Sequence, residues 1–137
     1  MNKLITLLLL VLMGNMASCQ SAGKKLPDGT TSVSVTVSAD DFQKKMSTLK
    51  DVQLVDVRTP EEYREGHIKN SLNINVQGSS FEAEVAKLDK KRPVMVYCRS
   101  GGRSASAQRM LIDMGFAEVV NLDGGIRGWQ SAGKPVE

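Results

Sequence analysis

After Val33 the spacing of apolar positions switches repeatedly between a strand period and a helix period. Val33, Val35 and Val37 alternate with Ser and Thr, which predicts a strand with one covered face. Ser38 stands three residues before Asp41 and can cap a helix running through Phe42, Met46 and Leu49. Val52 to Val57 is a short, largely apolar strand bounded by charges. Thr59-Pro60-Glu61-Glu62 is a helix start, with Thr59 as cap, Pro60 in the first turn and Glu62 placed to close a capping box. Gly66 ends that helix, Leu72-Asn73-Ile74 reads as a strand, and Phe81, Val85 and Leu88 fall at helical spacing. Val94 to Tyr97 is a compact apolar strand of the buried parallel kind. A Gly-rich loop leads into a helix from about Ser104 to Met114, striped by Ala107, Met110, Leu111 and Met114 and stopped at Gly115. Val119 to Leu122 is the last strand, and Gly124-Gly125 turns the chain into a short helix carrying Trp129.

Strands alternating with helices predict an α/β domain, a parallel sheet with helices on both faces. Ligands of such sheets bind outside the carboxyl ends of the strands, and Cys98 lies at one of those ends.

The front of the chain follows a different pattern. Lys3 is followed by an apolar run from Leu4 to Met13, interrupted only by Thr6, and then by Gly14, Ala17, Ser18 and Cys19. Ten such positions are too few for a lasting bilayer span and match a signal-peptide core. Met16-Ala17-Ser18-Cys19 resembles a bacterial lipoprotein box, in which the cysteine becomes the lipidated first residue. Met16 stands where Leu is usual, so ordinary cleavage to a free product stays open. The expected organisation is a signal peptide over 1–18, a polar tether over 19–32 with lipid on Cys19, and one domain over 33–137. Such a product is exported, either periplasmic or anchored to a bacterial membrane as a lipoprotein.

The chain has 137 residues, enough for one domain, and a net charge of only +3 with no long basic run. A nucleic-acid partner therefore has no electrostatic support. The chain has two cysteines, so once Cys19 is lipidated or removed Cys98 is the only thiol and no intrachain disulfide can form.

The segment Tyr97-Cys98-Arg99-Ser100-Gly101-Gly102-Arg103-Ser104 places that thiol between a buried strand and a helix N-terminus. Unpaired N–H groups at a helix start attract negative charge, and Gly101 and Gly102 let successive N–H groups turn inward as a nest. Arg99 and Arg103 add permanent positive charge. Each effect favours the thiolate, and the same donors suit an anionic substrate or a terminal persulfide. The bland alternative is an inert core cysteine flanked by solvated arginines. Four residues separate Cys98 from Arg103, one fewer than in the similar phosphatase signature, and the narrower ring suits a single sulfur atom better than a phosphate.

These features together resemble the rhodanese family from about Val35 to Trp129. The resemblance rests on Leu54-Val55-Asp56-Val57-Arg58 with Pro60-Glu61-Glu62-Tyr63, on Gly66-His67-Ile68, and on the Cys98 loop. Gly115-Phe116, Val119, Leu122, Gly124-Gly125 and Trp129 complete it. It implies a five-stranded parallel sheet and transfer of sulfane sulfur from a small anionic donor such as thiosulfate to a thiol or cyanide. It further implies Cys98 as nucleophile, a substrate loop of Arg99, Ser100, Gly101, Gly102, Arg103 and Ser104, and no cofactor or metal. Lys69-Asn70-Ser71 departs from the family's small residues after Gly-His-Ile, but Asn70 tolerates left-handed angles. His67 reads as a turn side chain rather than a base or ligand, Asp56 and Arg58 as a hydrogen-bonded pair or as partners of Glu61 or Glu62, and Trp129 as a lid on the core. The rival readings are a phosphatase-like or arsenate-reducing enzyme using the same thiolate, and an envelope module that carries persulfide or binds a partner.

Overall fold

The computed structural model describes residues 23–137. The expectations of a signal peptide over 1–18 and of lipid on Cys19 lie outside the described residues. Five strands alternate with five helices. They are β1 (Val33–Val37), α1 (Ala39–Thr48), β2 (Gln53–Asp56), α2 (Pro60–Glu65), β3 (Leu72–Asn73), α3 (Phe81–Val85), β4 (Val94–Tyr97), α4 (Gly102–Asp113), β5 (Glu118–Leu122) and α5 (Gly125–Ser131). The strands form one parallel sheet in the order β1-β5-β4-β2-β3.

The sheet separates two cores, and successive residues of each central strand enter opposite ones. Val55, Val94, Val96 and Val119 pack with Phe81 and Val85 of α3 and with Ala107 and Leu111 of α4. Leu54, Met95, Tyr97, Val120 and Leu122 pack with Phe42 of α1 and with Ile126 and Trp129 of α5. Both faces are covered, so β2 and β4 are buried throughout; β4 is wholly apolar, and β2 carries buried Gln53 and Asp56 at its two ends. The edge strand β1 keeps an alternating pattern, with Val33 exposed and Val35 and Val37 partly covered. Trp129 closes its core edge-on to Phe42 at 6.3 Å, and its indole N–H donates to the Pro135 carbonyl at 2.9 Å.

Helix starts follow the local chemistry of the sequence. Ser38 Oγ accepts the Asp41 N–H, and Thr59 and Glu62 form the reciprocal capping box with Pro60 at the first position of α2. Asn70 adopts a left-handed φ of 66°.

The tether expected over 19–32 is corrected for the part the structure describes. Residues 23–32 fold back as a small hairpin bridged between Lys25 and Thr31, with Leu26 and Ser32 buried. Pro27-Asp28-Gly29 is the turn, and Asp28 Oδ1 accepts the Thr30 N–H and hydroxyl. The turn-forming composition that suits a tether here reverses the chain at Pro27-Asp28-Gly29 and leaves Leu26 buried.

Connections leave β2 and β4 in opposite directions: β2 leads outward to its neighbour, the edge strand β3, and β4 leads the other way to its neighbour β5. The carboxyl ends of this neighbouring pair therefore border the crevice of a topological switch point. Asp56 pairs with Tyr97 in register at that edge, so the chain after Asp56 and the chain after Tyr97 emerge together.

Candidate active site

Cys98 follows β4 directly and is 1% exposed. The loop turns at Gly101, whose φ of 110° would strain any side chain, and this aims the Gly101 N–H at the Cys98 sulfur, 3.1 Å away. The helix expected from Ser104 begins two residues earlier, at Gly102. The extra turn rotates Ser104 inward, fully buried, with its hydroxyl 3.3 Å from Cys98 Sγ and 3.2 Å from the Gly101 carbonyl. A hydroxyl has one proton to give, and the ionised sulfur is the stronger acceptor for it.

These contacts decide the state of the thiol. Burial pushes its pKa up, but the Ser104 hydroxyl and the backbone N–H groups of Ser104, Gly101 and Ser100 together pull it below the ordinary value. The nest expected from sequence is therefore built of backbone amides with one hydroxyl. Its glycines are not equivalent: Gly102 has no positive φ and open space where a Cβ would stand.

The arginines of the loop take different places. Arg103 lies on α4 and donates through both terminal nitrogens to Glu62, at 2.8 and 2.9 Å. The sequence leads one to expect its charge at the ring, and the structure gives it this carboxylate partner. Beyond the capping role expected of it, the Glu62 carboxylate holds Arg103 and the start of α2 at once, accepting the Thr59 N–H at 3.1 Å. The Arg103 fork, against the cost of burial and helped by the Thr59 N–H, holds the Glu62 carboxyl down at about 2. Arg99 is exposed, and its side chain has no partner among the described residues. Asp56 and Arg58 form the expected pair, buried and closed by a 2.6 Å contact, with a second Arg58 bond to the Gly66 carbonyl. His67 Nδ1 lies 3.0 Å from the Tyr63 carbonyl and its ring stacks on Tyr63, both local contacts of the turn. Among the described residues no group of three or more His, Cys, Asp or Glu side chains converges as metal ligands would.

A lock that sequence reasoning missed lies behind the loop. The first turn of α5 donates from Ile126 N–H to the Cys98 carbonyl at 2.8 Å and from Arg127 N–H to the Arg99 carbonyl at 3.1 Å. Gly125, read from sequence only as part of a turn, is what lets α5 come this close.

Glu62→Gln should lower stability by about 1–2 kcal/mol, through a weakened cap and a broken, partly exposed fork. The sign of its pH dependence follows from the depressed carboxyl. The wild-type contribution is complete above the unfolded value near 4.5 and is lost as pH falls toward about 2. Urea melts at pH 7 and pH 3 should therefore differ more for the wild type than for the variant.

A comparison with known families matches the rhodanese-like domain model to residues 38–132. The chain belongs to the rhodanese-like domain family. It is 34% identical over 100 residues to a sulfurtransferase of Allochromatium vinosum, covering 73% of this chain and 92% of that one. It is 36% identical over 92 residues to the thiosulfate sulfurtransferase GlpE of Vibrio cholerae, covering 67% and 85%. Among solved structures, a rhodanese-related protein from Thermoplasma volcanium superposes with a TM-score of 0.66 at 31% identity, covering 74% of this chain and 96% of that chain.

Proposed function

We propose that this chain is a sulfurtransferase that takes sulfane sulfur from a small anionic donor such as thiosulfate and passes it to a thiol or cyanide through a persulfide on Cys98. The observation that carries the reading is the buried sulfur held by the Gly101 N–H and the Ser104 hydroxyl. In the first half-reaction the Cys98 thiolate attacks the outer sulfur of thiosulfate and the S–S bond breaks. Sulfite leaves with the bonding pair, and Cys98 holds the terminal sulfur as an anion. The donors that lowered the thiol pKa then face the persulfide charge at no cost in reorganisation. In the second half-reaction an acceptor removes that sulfur and restores the thiolate. Arg99, Ser100, Gly102 and Arg103 complete the loop around the entering anion.

Intact mass before and after thiosulfate tests this. The purified domain should gain one sulfur atom, lose it on adding cyanide, and release sulfite in equal amount. Turnover of an aryl phosphate without any sulfur gain would favour the phosphatase-like reading instead. The export reading belongs to the same proposal: the mature protein begins at Cys19 and carries lipid there, anchoring the domain to a bacterial envelope membrane. The mass of the protein extracted from membranes reports that lipid directly, and a free, unmodified N-terminus would reject it.

Ser104→Ala removes the one side-chain donor to the sulfur while leaving the backbone N–H donors of the loop in place. The rising limb of the rate against pH should move to higher pH, and the rate measured on that limb should fall several-fold. Single-turnover persulfide formation across pH 5–9 checks both.

A further inference from the structure

Beside the Cys98 loop lies a pocket of about 330 Å³ that shares Arg99 with that loop. Arg58, Glu62, Glu65, Arg99, Arg127 and Gln130 line it. Two of these charges are already spent: Arg58 is paired with Asp56, and Glu62 with Arg103. Among the described residues the side chains of Arg99, Arg127 and Glu65 have no such partner, and all three are exposed. Two free guanidinium groups and one free carboxylate thus remain on one concave surface, with the Gln130 amide at its side.

Their position is fixed by the same lock that holds the catalytic loop. Arg99 directly follows Cys98, and its carbonyl accepts the Arg127 N–H at 3.1 Å, so the backbones of the two arginines are held side by side. Glu65 closes the last turn of α2, on the β2 side of the crevice. The lining includes Arg99, the residue next to Cys98, and Ile126, whose N–H holds the Cys98 carbonyl, so a ligand in this pocket lies beside the catalytic loop.

From this charge pattern we infer that the pocket is the acceptor subsite and takes an amino-acid-type thiol, its carboxylate on Arg99 and Arg127 and its ammonium on Glu65. The inference rests on the Cys98 persulfide reading and adds the chemical class of the acceptor. A planar guanidinium recognises a carboxylate through paired N–H donors, and the opposed carboxylate answers the ammonium. The transfer needs no further reagent. The acceptor thiol gives its proton to the terminal sulfur of the Cys98 persulfide anion, and the thiolate so formed attacks that sulfur, forming a new S–S bond. The Cys98 Sγ–S bond breaks with its electron pair returning to Sγ, and the proton travels with the transferred sulfur.

Four small thiols separate the two charges: L-cysteine, 3-mercaptopropionate, cysteamine and 2-mercaptoethanol. Each is its own control between wild type and variant, so differences in thiol acidity cancel. Arg127→Gln should raise KM about fivefold for L-cysteine and 3-mercaptopropionate relative to its effect on the other two. Glu65→Gln should raise KM by a similar factor for L-cysteine and cysteamine only. Equal changes for all four thiols, or none, would overturn the subsite while leaving persulfide formation intact. Absence of the persulfide itself would instead overturn the reading beneath it, and the subsite with it.

Discussion

Cys98→Ser is expected to lose sulfur transfer by about a thousandfold or more while keeping the fold. A serine hydroxyl ionises far above any working pH, and the amides that pull a thiol below its ordinary value cannot bring an alcohol into range. An oxygen at this position also cannot store the transferred sulfur as a persulfide, so both half-reactions fail together. The fold should survive because the new hydroxyl can accept the Gly101 N–H that the sulfur accepts now, limiting the cost to about 1 kcal/mol. The measurement pairs steady-state transfer from thiosulfate with a thermal melt. Full activity in the serine variant would remove the covalent mechanism, and loss of both activity and folding would show that Cys98 acts in the core instead.

That last outcome has a physical basis, because Cys98 is packed as a core residue among Val96, Ala107 and Leu111. Burial alone disfavours the thiolate. The site works in this reading only because donors from the loop and from α4 outweigh that cost. The balance between desolvation and hydrogen bonding is the energetic centre of the site, and it explains why Ser104, not an arginine, is the side chain with the closest hold on the sulfur.

What could be read from sequence divides by the range of the interaction. The capping box at Thr59 and Glu62, the left-handed Asn70 and the strand before Cys98 are written in residues a few positions apart, and they stand as expected. The Arg103–Glu62 fork joins residues 41 apart, and no local pattern announces it. It exists because β2 and β4 are neighbours in the sheet, which brings α2 and α4 together at one end of it. The start of α4 was placed at Ser104 because Gly101 and Gly102 look like loop, yet only Gly101 needs glycine's freedom and Gly102 is already helical. The hairpin over residues 23–32 was missed for a related reason: Leu26 is a single apolar residue in a polar stretch, and its burial depends on what the domain offers, not on a repeat in the chain.

Gly125→Ala should be the most damaging small substitution in the described structure outside the loop itself. The residue has a φ of +59°, which costs an alanine about 1 kcal/mol on its own. The larger effect is steric. A Cβ here would stand 2.5 Å from the carbonyl carbon and oxygen of Arg99 and 2.6 Å from the carbonyl oxygen of Cys98. These are backbone atoms and cannot swing aside as a side chain would, so α5 must retreat. Retreat breaks the bonds from Ile126 and Arg127 that hold the loop carbonyls, and it loosens Ile126 and Trp129 in their core. The expected loss is about 2–4 kcal/mol, which is roughly 8 °C or more in the melting temperature. Gly102→Ala is the matched control: open space and an ordinary helical backbone predict a melt unchanged or slightly raised. Thermal melts of the two variants, read beside the yield of persulfide after one exposure to thiosulfate, test the lock. If Gly125→Ala melts with the wild type and loads sulfur as fully, the close approach of α5 is not what positions the loop, and the orientation of the Gly101 and Ser104 donors must be set by α4 alone.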